Sequence, residues 1–164
     1  GEAGTEQVGA AGGAEQKQGC GKRRRECRGE ARGKEDEDSA DADIAAHNLV
    51  LWGDPKSNKL LARLADQLPV KWTAAGVVVG GETFGADHHV PVMIYPNPLN
   101  PKRYVVLNSG FTFREYDYLN NARQTSKLPD FAVVDINQPV TSRFPGGIAK
   151  AGFFGEQWEL TAGK

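Results

Sequence analysis

The side chains in this sequence that could do chemistry are few: Ser109, the pair His88-His89, Asp135, and amides and hydroxyls in three turn-like segments. Ser109 with His88 or His89 and Asp135 supplies the residue types of a nucleophilic triad, in which a histidine takes the serine proton and a carboxylate orients the histidine. The local sequence argues against that use. A nucleophile elbow reads Gly-x-Ser-x-Gly, whereas Leu107-Asn108-Ser109-Gly110-Phe111 lacks both flanking glycines. No catalytic residue is therefore assigned. Asp87-His88-His89 carries metal-ligand residue types. Neighbouring side chains of an extended strand point to opposite faces, so two consecutive histidines are not expected to serve one ion, and no metal site is assigned.

The turn-like segments are Gly53-Asp54-Pro55-Lys56-Ser57-Asn58, Tyr95-Pro96-Asn97-Pro98-Leu99-Asn100-Pro101 and Asn108-Ser109-Gly110. Each follows an apolar run. Ligands of open α/β sheets bind beyond the carboxyl ends of the strands, so the expectation is one polar crevice lined by Asp54, Ser57, Asn58, Asn97, Asn100 and Ser109. The competing reading is structural: asparagine beside proline forms turns, and its side chain bonds nearby backbone. No cofactor is implied. The first turn has neither Gly-x-Gly-x-x-Gly nor the Gly-Lys-Ser/Thr of a phosphate-binding loop.

The elements that must hold these groups read as follows. Residues 47–52 form a short apolar strand ending at Gly53. Leucines and alanines at 60, 61, 64, 65 and 68 repeat at helical spacing, Pro69 stops the helix, and Ser57 or Asp54 caps its start. Strands follow at 70–72, 77–79, 89–95, 104–108 and 131–136, with a helix at 112–122 and a closing hairpin of 148–153 and 157–160. Alternation of strand and helix predicts an α/β domain: a three-layer, mostly parallel, Rossmann-like sheet with an antiparallel edge hairpin. Arg114, Glu115 and Asp117 read as a solvated helix face.

Composition divides the chain. Residues 1–44 contain Val8 and Ile44 as their large apolar residues, no aromatic residue, and 9 of the 20 glycines. Such a segment cannot bury enough apolar surface to offset its ordering entropy, so 1–44 is expected to be a disordered low-complexity leader and 45–164 the folded domain. The leader's basic run, Lys22-Arg23-Arg24-Arg25, is answered by Glu35-Asp36-Glu37-Asp38, and its 8 basic and 11 acidic residues leave a net charge of −3. Opposite blocks this close cancel beyond a Debye length of about 8–10 Å, and no aromatic is interleaved to stack on bases, so no nucleic-acid partner is expected. Cys20 and Cys27 match no common zinc spacing. No run approaches the roughly 18 apolar residues of a membrane span, and no apolar signal-peptide core is visible.

Three longer stretches bear a family likeness: 48–58 (Asn-Leu-Val-Leu-Trp-Gly-Asp-Pro-Lys-Ser-Asn), 94–116 with its Pro-Asn-Pro-Leu-Asn-Pro run, and 151–160 (Ala-Gly-Phe-Phe-Gly-Glu-Gln-Trp-Glu-Leu). Together they resemble the C-terminal module of some bacterial α/β-hydrolases of the prolyl-oligopeptidase-like class. The likeness covers residues 47–160. It implies a non-catalytic accessory domain that packs on, or presents substrate to, a serine hydrolase domain carrying the Ser-His-Asp machinery. It also implies export from the cell. Residues 1–46 have no counterpart in it, which favours a truncated or misread gene fragment. An independent small-ligand binding α/β domain using the polar crevice is the alternative.

Overall fold

The computed structural model describes residues 7–10, 32–34, 36, 41–109, 129–139 and 146–161. The helix expected at 112–122, the charged group Arg114, Glu115 and Asp117, and both cysteines lie outside the described residues.

The first core strand is β3 (Asn48–Trp52), whose three central residues are buried. Leu49 and Leu51 turn to one face and Val50 to the other, because side chains alternate along a strand. Beside it lie β1 (Gln7–Ala10) and β2 (Arg32–Lys34), in the order β3-β1-β2 and all parallel. Between β2 and β3 stands α1 (Asp41–Ala46), with Ile44 buried. Ile44 is 4% exposed and joins the core cluster, so the packed unit takes in this short helix.

After β3 the chain turns through Gly53 and forms α2 (Lys59–Leu64), continued by a 3-10 turn over Ala65–Gln67. Leu60, Leu61, Leu64 and Leu68 are buried, as the helical spacing predicts. The start is capped by Asn58 rather than by Ser57 or Asp54: the Asn58 carboxamide oxygen accepts from Leu61 N at 2.8 Å. That bond fills one of the four N–H groups a helix start leaves without an intrahelical partner.

The next three strands, β4 (Val70–Thr73), β5 (Gly76–Val79) and β6 (Glu82–Phe84), form a separate antiparallel meander. Gly80 and Gly81, at φ +60° and +83°, make the tight turn between β5 and β6. A two-residue hairpin turn of the twist-matched kind needs positive φ at both central residues. Val70, Val77 and Val79 bury their face of the meander in the common core.

β7 (His89–Asn97) and β8 (Asn100–Asn108) form a long hairpin, joined by Pro98-Leu99 alone. Pro91 lies inside β7, with β9 (Phe131–Asp135) on one side and β8 on the other. The Pro91 carbonyl accepts from Ser109 N at 3.2 Å, just past the end of β8. In an extended strand a residue's nitrogen and carbonyl point to the same side. The missing N–H therefore faces the end of β8, and the ladder to β9 loses nothing. The sheet closes with β10 (Gly147–Gly152), antiparallel to β9, and its full order is β10-β9-β7-β8-β3-β1-β2.

This corrects the expected fold class. The protein is mostly β, with two α-helices of six residues each among the described residues, and not a three-layer, mostly parallel, Rossmann-like α/β domain. Three of the six strand pairings in the large sheet are antiparallel. Two features account for the difference. The strands at 70–72 and 77–79 leave the main sheet for the meander, and the proline-rich segment is mostly strand, so 89–95 and 104–108 become hairpin partners. The expected closing hairpin also fails: β10 pairs with β9, and residues 157–160 contribute one bridge, Phe154 to Leu160.

One face of the large sheet presents Leu49, Leu51, Met93, Val105, Leu107, Phe131 and Val133 to the core, against Ile44, the leucines of α2 and the meander valines. Tyr95, Phe154 and Trp158 pack together at its margin with ring centroids 5.3–6.0 Å apart.

Candidate functional site

The segment after β3 is a self-contained knot. The Asp54 carboxylate accepts from Lys56 N (2.9 Å), Ser57 N (2.8 Å) and the Ser57 hydroxyl (2.9 Å), and Asp54 N donates back to Ser57 Oγ (3.0 Å). Partial burial works against ionisation of Asp54, but the hydrogen bonds from Ser57 and Lys56 and the Lys56 charge outweigh it and hold the carboxyl below its ordinary range. Gly53 permits the fold-back: its φ is +83°, and a Cβ there would meet Ser57 Oγ at 2.5 Å. Asn58, 1% exposed, caps α2 with its oxygen and donates from Nδ2 to Trp52 O at 3.2 Å, tying strand end to helix start. Lys59 N is taken by the Asp36 carboxylate at 2.5 Å. The N–H groups of Lys59 and Leu61, which an anion could use, are thus engaged by the protein itself.

Asn97 and Asn100 also act as braces. Asn97 is fully buried at the hairpin turn, and its carboxamide oxygen accepts from Leu99 N at 3.0 Å. Asn100 Nδ2 donates to Ile44 O (3.2 Å) and Ala45 O (2.9 Å), satisfying the last carbonyls of α1, while its oxygen accepts from Lys102 N. Asn48 completes the group by accepting from Tyr104 N at 2.9 Å.

The expected crevice is not assembled. Asp54, Ser57, Asn58 and Ser109 stand at the carboxyl ends of β3 and β8, whereas Asn97 and Asn100 stand at the opposite end of the β7–β8 hairpin. From Asn100 to Asn108 the strand runs about 26 Å at roughly 3.3 Å per residue. Ser109 is not set up as a nucleophile either: its hydroxyl is buried with no hydrogen-bond partner among the described residues, and none of the three histidines, all of them described, is in reach to take its proton.

A group that sequence reasoning set aside does come together. His89 opens β7 and lies directly across the ladder from Asp135, the last residue of β9. His88 precedes the strand in a turn, and its carbonyl accepts from Ile136 N at 2.8 Å. The alternation rule therefore does not govern the pair, and the two rings lie on the same side, with centroids 4.2 Å apart and planes at 43°. One ligand atom from each of His88, His89 and Asp135 lies within 4.8 Å of the others, and all three residues are half-buried. His89 Nδ1 is 3.0 Å from Gly85 O, and Phe84 packs on its ring at 5.6 Å. Asp87 Oδ2 is 2.8 Å from His88 Nδ1. That contact, followed by its own backbone N–H, holds the Asp87 carboxyl below its ordinary range. The sequence signal was weak: a Gly85-Ala86-Asp87 turn before the histidines, which breaks strand periodicity. Pairing with Asp135 spans 46 residues and has no local signature.

No helix among the described residues is long and apolar enough to cross a membrane. Family models, curated proteins and solved structures were all compared with this chain, and none matches it.

Proposed function

We propose that this chain is a non-catalytic packing domain whose partner is a serine hydrolase domain of the prolyl-oligopeptidase-like class. The carrying observation is the second face of the large sheet. Ladder register places Val50, Val90, Val92, Ile94, Val106, Ala132, Val134 and Ile148 together on that face, opposite the core. A sheet apolar on both sides is built to be covered on both sides. Val50, Ala132 and Val134 on that face are buried within the chain, but Ile94 and Ile148 remain 37% exposed, and Tyr104 on the same face is 42% exposed. A partly exposed apolar face suits docking better than solvent. The choice of partner rests on the sequence resemblance. Braced polar groups and a hydroxyl without a base support a non-catalytic role.

The test is binding between the purified chain and a prolyl-oligopeptidase-like hydrolase domain, followed by calorimetry. A complex weakened at least tenfold by Ile94→Lys plus Ile148→Lys, with the melting temperature of the free chain unchanged, is the expected result. No complex at tens of micromolar, or loss of stability in the free variant, overturns the reading.

A further inference from the structure

We infer that His88, His89 and Asp135 form a divalent transition-metal site of two imidazoles and one carboxylate, with zinc as its natural probe. Three protein ligands of this kind are what a metal site with an open coordination position uses.

The first support is how each ligand is held. A carbonyl can only accept, so the contact between His89 Nδ1 and Gly85 O places the proton on Nδ1 and leaves the lone pair on Nε2. The Asp87 carboxylate stands 2.8 Å from His88 Nδ1, and its charge favours the proton on that nitrogen, although the contact does not have hydrogen-bond geometry. Asp135 is oriented by Asn137 N on Oδ1 (2.9 Å) and by Gln138 Nε2 on Oδ2 (3.3 Å). Ligating histidines characteristically give their other ring N–H to a carboxylate or a backbone carbonyl, as His89 does to Gly85 O.

The second support is what the rings do not do. Neither Nε2 has a hydrogen-bond partner among the described residues. The ligand atoms spread to 4.8 Å, against about 3.4 Å between ligands standing 2.0–2.2 Å from a tetrahedral zinc. Rotation of half-buried side chains closes a gap of about 1.4 Å. Asp135 is anchored to the strand ladder through His89, and His88 through Ile136, so the backbones need not move.

To keep the thiols of Cys20 and Cys27 from competing for the ion, the experiment uses the full chain with Cys20→Ser and Cys27→Ser. Isothermal titration with zinc chloride is expected to give one site with a dissociation constant below about 10 μM. His89→Gln and Asp135→Asn each weaken it at least 100-fold, Asp87→Asn weakens it about 10-fold, and His47→Gln leaves it unchanged. Cobalt(II) in place of zinc gives visible ligand-field bands without a thiolate charge-transfer band. This readout requires no variant to fold. Weaker binding than stated, unchanged binding in His89→Gln, or a cobalt spectrum lacking ligand-field bands overturns the assignment.

Discussion

The two ends of the β7–β8 hairpin carry similar polar side chains and use them in opposite ways. At the turn end, Asn48 and Asn100 spend their amides on backbone of β8 and α1, and Asn97 closes its own turn. At the other end, His89 is oriented by Gly85 O, Asp135 by Asn137 and Gln138, and His88 by the carboxylate of Asp87 beside it, and one ligand atom of each lies within 4.8 Å of the others. A polar side chain whose bonds end on backbone of the same turn or of a neighbouring element, as those of Asn97 and Asn100 do, is a brace. One that is held by its neighbours and shares a focus with two others is a binding group. The difference lies in whether the side chains converge on one point.

The largest expected effect tests the bracing end. A chain starting at residue 47 loses Ile44 and α1, and leaves Asn100 Nδ2 without its carbonyls. It is expected to be at least about 2 kcal/mol less stable in urea than one starting at residue 41. Equal stability would mean that α1 contributes nothing to the core. Next in size is Asn58→Ala, which removes a helix cap and the bond to Trp52 O. Its expected cost is about 1–3 kcal/mol, with Asn58→Asp recovering the cap but not the second bond. Asn100→Ala should cost about 1 kcal/mol by the same measurement.

A smaller effect appears in the pH dependence of unfolding. The folded-state pKa of Asp54 lies below its unfolded value. Its contribution is therefore fully present above the unfolded carboxyl range near pH 4 and is lost as pH falls through the lower folded value. Ser57→Ala should flatten that acid limb. An unchanged limb would show that the Ser57 bonds do not set the ionisation. The smallest effect belongs to the binding end. Asp135→Asn keeps an acceptor for Asn137 N and should change metal-free stability by less than about 0.5 kcal/mol. A larger loss would move Asp135 from the binding groups to the braces and erase the contrast.

Several elements are legible in the sequence. The run Asn48–Trp52, the leucine spacing of α2 with its stop at Pro69, and the apolar strands Phe131–Asp135 and 104–108 all stand where local pattern puts them. The pairing between them was not legible. Pro96-Asn97-Pro98-Leu99-Asn100-Pro101 looked like a six-residue loop because proline lacks a donor. The ladder accommodates it with a register shift after Pro96 and a two-residue turn. That single choice makes β7 and β8 antiparallel neighbours and turns a supposed parallel sheet into a mixed one. The same choice separates Asn97 and Asn100 from Ser109 by the length of a strand.

By itself the sequence determined which segments are apolar enough to be buried and where the chain must turn, because hydrophobic periodicity, proline and glycine act over a few residues. It also determined that Ser109 lacks the glycines of a strained nucleophile turn. Only the tertiary structure decided which strands pair, which asparagines brace which loops, and that His88 stands in a turn where its ring meets that of His89 across from Asp135. The physical reason is reach: a strand's partner is chosen by side chains buried together at large sequence separation, and a three-residue site inherits its geometry from that choice.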